Sequence, residues 1–143
     1  MKAIITKLFS EGDSNLMEAK SKFFLRKEEQ HCGSCNSCSA IKKYLDAYKQ
    51  FLFKGGHETE NYHLLLHLII QEDPDFKMFT EKIYEVKCFA EESKREGDRF
   101  FLFAEEINDV LNIAFEIRKY IANKVGFKKD FLADYLHTSY MAT

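Results

Sequence analysis

The stretch His31-Cys32-Gly33-Ser34-Cys35-Asn36-Ser37-Cys38 gathers three thiols and an imidazole within eight residues. Three thiolates at a spacing of three can ligate one soft cation, and a tetrahedral zinc site would draw its fourth ligand from His31 or Cys88. The longer cysteine runs of ferredoxins, which would hold an iron–sulfur cluster, are absent. With one such cluster and no second Cys-x-x-Cys pair, reduced and metal-free thiols are expected, zinc being the alternative. Thiols at the start of a helix have their thiolates stabilised, so Cys35 or Cys38 is expected to oxidise or alkylate readily.

Other chemistry-bearing residues are more scattered. His63 and His67 lie four apart and share a helix face, with His57 in the loop before them. No Glu follows His63, so the His-Glu-x-x-His pattern of metalloproteases fails, and histidines lining a helix interface are expected. Arg26 and His31 are the candidate catalytic pair, but five helical steps set them about 140° apart unless the helix ends between them. Lys94, Arg95 and Arg99 flank Gly97 and precede Phe100 and Phe101. Cations beside aromatics at a turn can hold phosphate and stack a base; the competing arrangement has the cations complementing a helix C-terminus and the rings in the core. Arg118, Lys119, Lys124, Lys128 and Lys129 form a second basic cluster near a helix end. No glycine-rich phosphate loop is present.

The elements that position these residues read as helices. One proline, Pro74, and six glycines divide the chain into pieces of helical length. Ile41, Tyr44, Leu45, Tyr48, Phe51 and Leu52 repeat at three and four between Gly33 and Gly55. Phe76, Phe79, Ile83, Val86 and Ala90 do so after Asp73 and Pro74, a candidate N-cap and first helical residue. Phe103, Ile107, Val110, Leu111, Ala114, Ile117 and Ile121 follow Gly97 and stop at Lys124 and Gly126. An earlier helix is placed near Asn15, where Glu18 completes a capping box. Tyr62 to Ile70 is apolar nearly all round and is expected at the centre; Asp130 to about Tyr140 reads as a helical tail. No run alternates with period two. The fold expected over residues 1–143 is therefore a single-domain, all-α, up-and-down antiparallel bundle of four to five main helices. The segments after Pro74 and after Gly97 are expected to form its central pair.

Composition narrows the function. With 45% apolar and 15% aromatic residues the chain can bury a core, which excludes a disordered protein. Lys and Arg number 21 against 23 Asp and Glu, a net charge of −2, so no global field recruits nucleic acid, although a local patch can. No apolar run is long enough to span a bilayer and the first residues lack an export signal, so a cytoplasmic protein is expected.

The order of elements from about Cys35 to Val125 resembles the HEPN family, the helical domains named for higher eukaryotes and prokaryotes nucleotide-binding. Ser39-Ala40-Ile41-Lys42-Lys43-Tyr44-Leu45 is similar to the family's helix of small residues leading into a lysine-bearing apolar stripe. Gly55-Gly56-His57 and Tyr62-His63-Leu64-Leu65-Leu66 resemble its loop and the opening of its next helix. Asp73-Pro74-Asp75-Phe76 resembles the following turn, and Glu92 to Phe100 falls where the family has an arginine-bearing turn before its last helix.

The resemblance implies a two-fold homodimer with arginines pointing into the cleft between protomers. It implies as well either a metal-independent ribonuclease or an inert partner of a small nucleotidyltransferase in toxin–antitoxin or defence systems. Active members carry an Arg, four to six residues, then a His near the start of a late helix. Neither Arg95 nor Arg99 has such a His; the only literal match is Arg26 to His31, early in the chain. The expectation is a non-catalytic, dimeric module engaging nucleotide, RNA or a partner protein, with Lys94, Arg95 and Arg99 at the ligand. The alternatives are a ribonuclease and a metal or redox protein built on Cys32, Cys35, Cys38 and Cys88. A wide stripe on the late helix (Ile113, Ala114, Ile117, Tyr120 and Ile121) is read as apolar area left for the dimer.

Overall fold

Apolar residues spaced by three and four leave each segment one face to bury, and five α-helices form around that need. The computed structural model describes residues 3–24, 30–55, 61–129 and 131. Among them the protein is an all-α helical bundle without strands: α1 (Ala3–Phe24), α2 (Gln30–Phe53), α3 (Tyr62–Glu72), α4 (Thr80–Glu96) and α5 (Ala104–Val125). No helix among these residues is long and apolar enough to cross a membrane.

The centre is α2, which packs against all four of the others; α4 and α5, the expected central pair, meet only sparsely. Tyr44, Leu45, Ala47 and Tyr48 are fully buried on it. The reason lies in α1, which starts well before Asn15 and passes straight through Gly12. A Cβ at Gly12 would stand 2.7 Å from the Tyr44 ring, and one at Gly33 would stand 3.0 Å from Phe23. Both glycines are thus close-approach sites inside helices, not the breaks that their type implies. They let α1 and α2 lie nearly in contact, running antiparallel, so that Phe23 meets Gly33 and Gly12 meets Tyr44.

Helices consecutive in the chain alternate in direction with one exception. Cys38 meets Tyr62 and Tyr48 meets Asp73, so α3 runs alongside α2 in the same direction. Asn61 starts α3 by accepting the Leu64 N–H at 3.1 Å. His63, Leu64 and His67 face solvent, so α3 lies at the margin of the bundle and not at its centre. Pro74 opens a 3₁₀ turn, Pro74–Phe79, and α4 begins only at Thr80. Gly97, at φ 60°, ends α4, and Gly126, at φ 79°, ends α5 as its position after Lys124 indicates. Before α5 the chain is extended: Phe100 and Leu102 point inward while Phe101 and Phe103 are 65% and 68% exposed. Phe103 therefore leaves the stripe assigned to it and sits at the N-cap, its N–H donating to Glu106 at 2.9 Å. Of the wide stripe read on α5, Ile113, Ala114, Ile117 and Ile121 are buried within the protomer and Tyr120 is half-buried. The expected helical tail lies outside the described residues except Phe131, which is buried.

Candidate functional site

The cysteine cluster falls on α2, where a step of three turns each thiol about 60° from the last. The thiols therefore fan out instead of converging. Cys35 faces α4, with Sγ 3.9 Å from the Ala90 carbonyl and 3.5 Å from Ser93 Oγ. Cys38 faces α3 and its thiol donates to the Tyr62 hydroxyl at 3.4 Å, while that hydroxyl donates to the Cys38 carbonyl. Cys32 is half-buried a turn earlier and Cys88 is exposed on α4; all four thiols are free. No group of three or more potential ligands among the described residues can hold a metal ion. Because α2 already begins at Gln30, Cys38 lies beyond its second turn, out of reach of the terminal N–H groups. Burial pushes its thiol pKa up, against smaller opposing contributions from Tyr62, Lys94 and Lys87. Ready ionisation, expected for Cys38, is thus replaced by a thiol that keeps its proton.

The histidines are apart from one another. His31 is half-buried in the first turn of α2, and its Nδ1 has no hydrogen-bond partner among the described residues. Arg26 and His57 lie outside those residues. His63 Nδ1 sits 3.0 Å from the Tyr84 hydroxyl, tying α3 to α4.

Lys94, Arg95 and Arg99 are all exposed, and no ion pair engages them among the described residues. They are interleaved with exposed Glu91, Glu92, Glu96 and Asp98, so the turn at Gly97 has no net positive field. Beside it Phe101 and Phe103 meet edge to face, with ring centroids 5.3 Å apart.

Two buried carboxylates organise the opposite end. Asp13 of α1 accepts from the Tyr44 hydroxyl at 2.7 Å and from Arg118 through two bonds, Nε at 2.6 Å and Nη2 at 3.0 Å. Arg118 is only 6% exposed and its guanidinium stands 4.5 Å from the Phe131 ring centre, so this cation belongs to the core and not to a surface cluster. Asp73, expected as an N-cap, makes no cap bond; one of its oxygens accepts both the Tyr48 and Tyr120 hydroxyls at 2.6 Å. Burial works to raise its pKa, but the tyrosines and Lys124 outweigh it and the net shift is downward. Burial and the neighbouring carboxylate push Tyr44, Tyr48 and Tyr120 up, so all three remain protonated donors. A signal for this existed: Asp13 and Arg118 occupy positions on apolar stripes, between Phe9 and Leu16 and between Ile117 and Ile121, where a lone charge needs a partner.

Arg118, held from behind by Asp13, forms one wall of a groove of about 440 Å³ at the C-terminal end of α5. Phe115, Phe127 and Phe131 supply its aromatic surface, Phe127 stacking on Phe9 at 4.4 Å. Lys119, Lys128 and Lys129 stand exposed around it, and no carboxylate lines it among the described residues. The helix C-terminus and its αL turn bring Lys128 and Lys129 back over the face that carries Lys119. Such a groove can take a phosphate on its rim and a planar base against the half-buried Phe115 and Phe127 rings, Phe131 being covered by Arg118. No family model, curated protein or solved structure matches this chain.

Proposed function

We propose that this chain is a non-catalytic helical module that binds a phosphate-bearing ligand, a nucleotide or single-stranded RNA, in the groove at the end of α5. The observation that carries the reading is the groove's lining among the described residues: three exposed lysines beside three phenylalanines. Lysine rims supply a local positive field on a chain of net charge −2, and aromatic faces accept any base. A ribonuclease would need a base near the ribose hydroxyl, and among the described residues no histidine lines the groove. The resemblance to HEPN domains supports nucleotide binding and adds a homodimer and a nucleotidyltransferase partner, both resting on that resemblance alone.

Lys94, Arg95 and Arg99 form the second candidate face, favoured by the exposed Phe101–Phe103 pair beside them. Fluorescence anisotropy with a labelled oligoribonucleotide separates the two. Replacing Lys119, Lys128 and Lys129 by Ala is expected to weaken binding at least about tenfold and to flatten its salt dependence. Arg95→Ala with Arg99→Ala is expected to leave binding nearly unchanged. Loss in the arginine variant alone would move the site to the Gly97 turn.

A further inference from the structure

A second cleft, distinct from the lysine-rimmed groove, opens between α2, α3 and α4. We propose that it is a thiol-exchange site for small anionic disulfides, with Cys35 as the nucleophile. The cleft has a volume of about 400 Å³, enough for a ligand the size of a tripeptide conjugate. Its lining joins Cys35 and Cys38 to Lys42, Lys87 and Lys94, against a single carboxylate, Glu91. Lys42 is paired with Asp46 at 3.1 Å and Lys87 more loosely with Glu91 at 3.9 Å, so Lys94 is the lining lysine without an ion pair among the described residues. Thiols one helical turn apart beside it suit a ligand that is both sulfur-reactive and negatively charged.

The two thiols differ in surroundings. Cys35 Sγ lies 3.9 Å from the Ala90 carbonyl and 3.5 Å from Ser93 Oγ, on the α4 side of the cleft. Cys38 donates to the Tyr62 oxygen at 3.4 Å, and burial pushes its thiol pKa up, so it keeps its proton. Lys94 carries no ion pair among the described residues, and Lys87 lies 5.9 Å over the Tyr62 ring at the edge of the cleft. Lys94, with Lys87 drawn from its 3.9 Å contact with Glu91, would hold the ligand's carboxylates while its sulfur meets Cys35.

The step balances as thiol–disulfide exchange. Cys35 releases its proton to solvent, and the thiolate attacks one sulfur of RS–SR. A bond forms between Cys35 Sγ and that sulfur, the RS–SR bond breaks, and the departing RS⁻ takes up a proton from water. Cys35 is oxidised to a mixed disulfide and one equivalent of RSH is the reduced product. The proton retained on Cys38 keeps it from attacking in turn, so the mixed disulfide accumulates.

The test uses the purified full chain, glutathione disulfide as the anionic probe and bis(2-hydroxyethyl) disulfide as the neutral one, read by intact mass and peptide mapping. With the anionic probe, Cys35 is expected to be modified ahead of the more exposed Cys88, and Cys35→Ser to lose that adduct while its circular dichroism is unchanged. Lys87→Ala with Lys94→Ala is expected to slow the anionic probe by about tenfold and the neutral probe little, a difference that added salt erases. Cys88 reacting first, Cys35→Ser keeping the cleft adduct, or equal slowing of both probes would each overturn the proposal.

Discussion

Two of the buried carboxylates of this bundle, Asp13 and Asp73, do the same mechanical job by different chemistry. Each joins a tyrosine of α2 to a residue of α5 across a third element. Asp13 uses Tyr44 and Arg118; Asp73 uses Tyr48 and Tyr120. The first clamp neutralises its charge with a cation, whereas the second holds a carboxylate mainly with neutral hydroxyls, the lysine Lys124 acting at longer range. An ion pair removed from water fails badly when one half is lost, because the other half stays buried and charged. A carboxylate held by hydroxyls loses one bond at a time. The comparison therefore implies a brittle clamp beneath the lysine-rimmed groove and a graded one at the α3–α4 turn.

The largest effect is expected from breaking the brittle clamp. Arg118→Ala leaves Asp13 without its cation and should cost about 3–5 kcal/mol in chemical denaturation. Asp13→Leu combined with Arg118→Met should recover part of that loss, since the paired charges disappear together. If the double variant is no more stable than Arg118→Ala, charge pairing is not what Asp13 and Arg118 share. At the graded clamp, Tyr48→Phe should cost about 1.5–3 kcal/mol as a hydrogen bond to a charged group is removed. Tyr120→Phe, on a half-buried residue, should cost less than Tyr48→Phe. Gly12→Ala pushes a methyl to 2.7 Å from the Tyr44 ring and should cost about 1–3 kcal/mol by moving the donor to Asp13.

The smallest effect is that of pH. Asp73 has a folded pKa below its ordinary 3.8, so its contribution to stability is complete above that value. It fades as pH falls further, through the folded pKa, because the native carboxylate must then accept a proton. Denaturation curves recorded down through that range should show a steeper acid loss in wild type than in the Tyr48→Phe, Tyr120→Phe double variant. Equal slopes would mean that the hydroxyls do not hold Asp73 ionised.

Helical period made the class of fold and the interiors of α2, α4 and α5 readable from sequence. Ile83, Val86, Ile107, Val110 and Ile117 are buried where the stripes place them. Chain direction and centrality were not readable, because glycine carries two opposite meanings. Gly97 and Gly126 end helices through positive φ, while Gly12 and Gly33 lie inside helices to admit Tyr44 and Phe23. A single sequence does not distinguish a missing Cβ that frees the backbone from one that makes room for a neighbour. The same holds at the candidate site. Lys119, Lys128 and Lys129 were visible as a basic run, but Arg118 within it is a core residue, since its partner Asp13 lies 105 positions away. The thiols were legible as a cluster and not as two separate environments, because which helix each one faces is decided by tertiary packing.

The most direct test of the binding proposal is titration of a labelled single-stranded oligoribonucleotide at two salt concentrations, comparing wild type with the Lys119, Lys128, Lys129 triple alanine variant. The wild-type affinity is expected to fall with salt. The triple variant should bind at least about tenfold more weakly at low salt, with a shallower slope and an unchanged melting temperature. Equal affinity and equal slope in the two proteins would contradict the assignment of the groove.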